Sequence, residues 1–156
     1  MLIRKIVFSI AIVFALPSSG AELTGQATVI DGDTIDIHGT RIRLYGIDAP
    51  ESRQTCEAAG EVYRCGQQAA FVLADHIGRH TVYCISKGDP DRYGRMIAIC
   101  YTDGQDLSAW LVEQGWALAF RRYSAAYVGQ EQAAETAVRG MWAGKFVAPW
   151  DWRKNH

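Results

Sequence analysis

The sequence predicts an α+β fold that is mainly β: a small open Greek-key barrel of about five short strands with about three helices outside it. Two observations carry this. Strand-like runs dominate the first half of the chain, separated by turn residues at short intervals. Helical periodicity appears in only three stretches, each stopped by a glycine. A doubly wound sheet would need strands and helices to alternate throughout, and they do not.

Each element follows from local chemistry. "GQATVI" leads into the turn "DGDT", and "TIDIH" then alternates apolar and polar residues. "HGT" turns the chain, and "RIRLYGI" alternates again, so three strands fill residues 26–47. "CEAAGEVYRCG" reads as irregular. "QQAAFVLADHI" spaces Ala70, Phe71, Leu73, Ala74 and Ile77 along one helical face, and Gly78 ends it. "HTVYCIS" and "RMIAICYT" read as strands around "KGDPDRYG", which is dense in turn residues. "DLSAWLVEQG" reads as a helix with Asp106 as N-cap and Gly115 as stop. "WALAF" is a short strand, and a last helix covers residues 128–139. The tail "MWAGKFVAPWDWRKNH" holds three tryptophans and is expected to fold back as an apolar clasp.

The first residues stand apart. Arg4 and Lys5 precede the apolar run Ile6–Leu16, and Ser19 and Ala21 are small residues before a cut after Ala21. That is the pattern of a secretory signal peptide over residues 1–21, leaving a single domain over residues 22–156. The run is too short to favour a membrane span. An exported protein, periplasmic or secreted, is expected. Four cysteines remain, an even number that reads as disulfides in an oxidising compartment. Three pairings are possible. Cys84 and Cys100 flank a turn-rich stretch and can face each other across a hairpin, leaving Cys56 and Cys65 to close a short local loop.

The whole chain has formal charge −1, and losing Arg4 and Lys5 makes it more acidic. Bulk electrostatic binding of nucleic acid is therefore not predicted. A polyanionic partner would need a local basic patch or a bound cation. The acids cluster around two strand ends: Asp31 and Asp33 bracket Gly32, Asp48 ends "RLYGID", and Glu51 follows Pro50. Asp-Gly is also a favoured turn, so the acids by themselves suit either turns or a calcium site of loop oxygens. Arg41 and Arg43 share one strand face, and Arg95 opens another strand. Guanidinium groups beside carboxylates suit a phosphodiester, whose oxygens they can clamp in pairs, and equally suit surface ion pairs.

"VIDGDT", "RLYGIDAPE" and "DRYGR", in that order, resemble the staphylococcal-type thermonucleases, and the resemblance covers about residues 25–152. The tail and the cysteines look like the secreted proteobacterial branch of that family. The resemblance implies a five-stranded OB-type barrel and a calcium-dependent nuclease that cleaves DNA and RNA to 3′-phosphate ends. It implies that Asp33, Asp48 and the Ala49 backbone carbonyl bind Ca2+, with Asp31 supporting the metal site from behind. Arg43 and Arg95 match the phosphate-binding arginines, Glu51 the general base, and Tyr93 a tyrosine beside the nucleotide's phosphate. Where the family carries two alternating tyrosines at the nucleotide pocket, this chain has Arg121 and Tyr123. The protein is expected to act as a monomer. The rival reading is a non-catalytic OB-type nucleic-acid-binding module of the cell envelope. A module freed from catalysis has no reason to keep the acids and both arginines together.

Within "RLYGID", Arg43 and Asp48 are five residues apart, so on a regular strand they would point to opposite faces. If both serve one site, the strand must break, and Gly46 is the place for it.

Overall fold

The computed structural model describes residues 20–156; the expected signal peptide falls almost entirely outside them. One sheet organises the domain. Its strands are β1 (Glu22–Gly25), β2 (Ala27–Asp31), β3 (Thr34–Ile37), β4 (Thr40–Leu44), β8 (Val82–Ser86) and β9 (Met96–Thr102), in the spatial order β1-β8-β9-β4-β3-β2. The short strand β10 (Gln105–Asp106) adds to β9. All pairings are antiparallel except β4 with β9, which is parallel.

The two ends of this order explain its curvature. β1 and β2 are consecutive in the chain, separated only by Gln26, yet they sit at opposite ends of the order. The sheet must curl round so that one bent strand can serve both edges. Counted that way, the barrel has five strands, the bent one pairing with β8 through its first part and with β3 through its second. The sequence pattern placed the first strand's start at Gln26; the pairing extends it back to Glu22.

Small elements decorate the barrel. β5 (Ile47–Asp48) pairs with β11 (Leu118–Ala119), and β6 (Cys56–Ala58) pairs with β7 (Glu61–Tyr63). The second pair corrects the expectation of irregular chain there. A tight turn at Ala59 and Gly60, both at positive φ, makes a hairpin too short to show alternation. Helix α1 (Cys65–Ile77) packs Ala69, Leu73 and Ile77 inward and is closed by Gly78. Helix α2 (Leu107–Glu113) begins at Asp106, whose carboxylate accepts from the backbone amides of Ser108 and Ala109. Helix α3 (Val128–Thr136) stops short of the expected residue 139, because Val138 and Gly140 take positive φ. A fourth helix, α4 (Pro149–Trp152), was read from sequence only as part of a clasp.

Two apolar clusters hold these layers. The larger joins Ile35, Ile37, Ile42 and Leu44 of the barrel to Leu73 and Ile77 of α1 and Leu107 and Leu111 of α2. The smaller gathers Cys56, Cys65, Leu118 and Met141 under Trp142, Phe146 and Trp150. Disulfides join Cys84 to Cys100, directly opposite on β8 and β9, and Cys56 to Cys65 across the small hairpin. The tail is fastened at two points. Glu57 and Lys145 exchange backbone hydrogen bonds, and the fully buried Gln54 donates its side-chain amide to the Val147 carbonyl at 2.7 Å. None of the described helices is long and apolar enough to cross a membrane.

Candidate active site

The site sits where β4 stops. β4 ends at Leu44, Gly46 turns the chain at φ 76°, and β5 then carries Ile47 and Asp48 into a separate pairing with β11. A side chain at Gly46 would be strained at that φ, and its Cβ would also stand 2.8 Å from the Tyr127 ring. This break turns Asp48 back toward Arg43. Arg43 Nη2 donates to Asp48 Oδ1 at 3.0 Å, and Arg43 Nη1 lies 2.9 Å from Asp33 Oδ2. One guanidinium thus joins the two aspartates from different turns.

Asp33 is set by its own loop. Its backbone amide donates to Asp31 Oδ1 at 3.0 Å, so Asp31 braces the turn that carries Asp33. Asp33 Oδ2 accepts from the Ala49 backbone amide at 2.6 Å, which ties the "DGDT" turn to the "DAPE" turn. Burial pushes the Asp33 carboxyl up to about 7, outweighing the pull of Arg43 in the opposite direction; the charges of Asp31 and Asp48 add to the rise, and the Ala49 amide opposes it. The sign is that of a destabilising acid. Between its ordinary value of 3.8 and about 7, the folded chain holds a proton that the unfolded chain has released. The cost of Asp33 is absent below that window and full above it.

Glu51 follows Pro50 in a turn braced by Gln54. The Gln54 amide donates to the Glu51 carbonyl at 2.7 Å, and the Glu51 amide donates to Gln54 Oε1 at 3.2 Å. The helix beneath comes very close: a Cβ on Gly66 would lie 1.8 Å from the Glu51 carbonyl oxygen.

Sequence reasoning missed one member of this cluster. Arg153, just after α4, donates from Nη1 to Asp48 Oδ1 at 3.0 Å and from Nη2 to Asp48 Oδ2 at 2.8 Å. Its Nη1 also reaches Glu51 Oε1 at 2.7 Å. Asp48, chiefly by hydrogen bonding, raises the Arg153 guanidinium further above its ordinary range, and Glu51 adds to this against a smaller effect of burial. The only signal in the sequence was a cation at the end of an aromatic run.

Arg95 enters from the other side. Its backbone amide and Nε both donate to the Asp91 carboxylate, the latter at 2.8 Å, while Nη1 lies 3.3 Å from Thr34 Oγ1. Thr34 is the residue after Asp33, so Arg95 flanks the acids without pairing with them. Tyr93 is exposed, with Arg92 and Arg95 over its ring. Arg121 and Tyr123 are not brought into contact with the acids. Arg121 pairs with Glu131 at 2.6 Å and lines a groove of about 280 Å³ with Phe120, Arg122, Trp150 and Lys154. Tyr123 packs its ring edge-on against Phe120, and its carbonyl accepts from the Tyr45 hydroxyl.

Among the described residues, no three His, Cys, Asp or Glu side chains stand close enough to cage an ion by themselves. The donor set still suits a hard dication. Two carboxylates converge on one cationic group, one of them buried with its charge incompletely matched. Calcium accepts such a pair when backbone carbonyls and waters complete the shell.

Comparison with known proteins bears on the family. The profile of the family described as "Staphylococcal nuclease homologue" matches residues 41–144. The chain is 37% identical over 123 residues to the "Succinoglycan biosynthesis protein ExoI" of Rhizobium meliloti (strain 1021), covering 77% of this chain and 64% of that protein. It is 30% identical over 171 residues to a "Micrococcal nuclease" of Shigella flexneri, covering 97% and 92% of the two chains. An "Uncharacterized endonuclease" of Haemophilus influenzae is 30% identical over 166 residues, covering 99% and 88%.

Proposed function

Because the chain belongs to the staphylococcal nuclease homologue family, we propose that it is a calcium-dependent nuclease that hydrolyses DNA and RNA phosphodiester bonds and leaves 3′-phosphate ends. The observation that carries this is the Arg43 guanidinium shared by Asp33 and Asp48, two carboxylates already gathered around a positive charge. Relatives named as nucleases, similar over nearly their whole length, support the same reading.

Asp33, Asp48 and the Ala49 carbonyl would hold the ion. Bound there, calcium would supply charge that polarises a phosphate oxygen and draws water toward phosphorus. The chain's own residues do the rest. Arg43 and Arg95 grip the non-bridging oxygens and stabilise the extra charge of the five-coordinate transition state. Glu51 takes or orients the proton of the attacking water. The new bond joins water oxygen to phosphorus, the bond from phosphorus to the 5′-oxygen breaks, and that oxygen takes up a proton from solvent. Tyr93 lies beside Arg95, where it would line the nucleotide, and Arg121 and Tyr123 would meet the strand farther along the groove. The protein acts as a monomer, exported to the periplasm or beyond after loss of residues 1–21, as its two disulfides suggest.

The test is nicking of supercoiled plasmid by the purified domain. Cutting in calcium, its loss in chelator, its return on adding calcium back, and 3′-phosphate termini on the products are expected. Equal cutting in calcium and chelator would sink the metal dependence. Retention of DNA with no cutting in either would favour the binding-module reading. The raised Asp33 carboxyl adds a pH dependence: below about 7 the ion must displace a proton, so calcium affinity should be about tenfold weaker at pH 6 than at pH 8. Calorimetric titration at the two pH values measures it.

A further inference from the structure

Arg153 engages both carboxylate oxygens of Asp48, and Arg43 engages one of them as well. The Asp48 side chain is only 1% exposed, so those oxygens have little other access. A dication shared by Asp33 and Asp48 needs at least one of them. Two guanidiniums and a dication on so few carboxylates would repel strongly in a partly buried setting. One of the arginines must give way.

Their settings differ. Arg43 belongs to a barrel strand paired on both sides, and its side chain is 16% exposed. Arg153 follows a helix of one turn, and its side chain is 40% exposed. It also has a second partner to keep, since Glu51 holds the same Nη1 at 2.7 Å.

We propose that Arg153 is an exchangeable counter-ion of the metal site: it neutralises Asp48 when no metal is bound and is displaced from Asp48 when the dication arrives, keeping Glu51. It is a positioning residue that presents Asp48 and Glu51 together and sets how tightly the ion is held. This rests on the calcium reading above, and the experiment separates the two.

Calcium alone, without nucleic acid, is titrated calorimetrically into wild type and R153Q. R153Q should bind calcium about five- to tenfold more tightly, because the competing cation is gone. Thermal unfolding is then followed in chelator and in saturating calcium. R153Q should melt below wild type in chelator, and the gap should close in calcium, where Arg153 no longer serves Asp48. A merely structural arginine would leave the gap unchanged. Absence of calcium binding by wild type would overturn the metal reading and this inference with it. Calcium binding by wild type that is equal or weaker in R153Q, or a gap that persists in calcium, would overturn the inference alone. If R153Q does not fold, R153K decides: it keeps a charge but lacks the fork that spans both Asp48 oxygens. Tighter calcium binding than wild type supports the exchange, and equal or weaker binding overturns it.

Discussion

Arg95→Ala should lower the rate of plasmid nicking by on the order of a hundredfold or more while leaving the fold intact. The two effects separate because of how Arg95 is held. Its side chain pairs with Asp91 in a partly exposed position, a contact whose loss costs roughly 1 kcal/mol or less. The turn itself survives, since the Asp91 and Arg95 backbones bond each other at 2.9 Å and the Asp91 carboxylate also accepts from the Tyr93 and Arg95 amides. Asp91 fixes Nε, and Nη1 reaches Thr34, the residue after Asp33. On the proposed mechanism, what the variant loses is charge placed beside the scissile phosphate. Initial rates at saturating calcium, together with a urea midpoint, measure both. A rate within threefold of wild type would remove Arg95 from the proposed machinery.

Gly66→Ala should destabilise the domain by about 3 kcal/mol and disable cutting with it. The new Cβ would lie 1.8 Å from the Glu51 carbonyl oxygen and 3.1 Å from the Ser52 Cα. Both neighbours are backbone, so no side chain can swing aside. Either α1 retreats from the barrel or the Glu51 turn moves away from Asp48. The same exchange at Gly129 in α3, where a Cβ meets nothing within 4 Å, should instead stabilise by roughly 0.5–1 kcal/mol, as helix propensity alone dictates. Thermal melts and nicking rates of the two variants make the comparison. A wild-type melt for Gly66→Ala would mean that α1 and the Glu51 turn are not packed as described.

The parts of this site that could be read in sequence are those specified locally. The break at Gly46 follows from a five-residue spacing that a regular strand cannot satisfy, and the structure turns the chain there. The Asp106 cap and the Gly78 stop follow from residue types whose chemistry acts within a few positions. What could not be read depends on distant chain segments meeting. Arg153 lies 105 residues from Asp48 in sequence. Its neighbours Trp150 and Trp152 pointed to burial, and Trp150 does stack on Phe120 with ring centroids 5.6 Å apart. Nothing local says that the residue after such a pair enters an acidic cluster. Arg121 is a second case: nothing in its own stretch says that Glu131, buried in α3, pairs with it.

The parallel ladder between β4 and β9 carries a consequence for how the molecule assembles. It sets Arg43 opposite Ile97, and Arg95 immediately precedes β9. The antiparallel pairs on either side of it, β3 with β4 and β8 with β9, can each form by local closure of the chain. Neither of them contains both arginines. Joining them requires closing a long loop first, an entropic cost met before any contact rewards it. On the proposed mechanism, a chain with both hairpins formed but not joined would lack one of the two arginines at the phosphate. The proposed phosphate grip is therefore a property of the joined barrel and of neither hairpin alone.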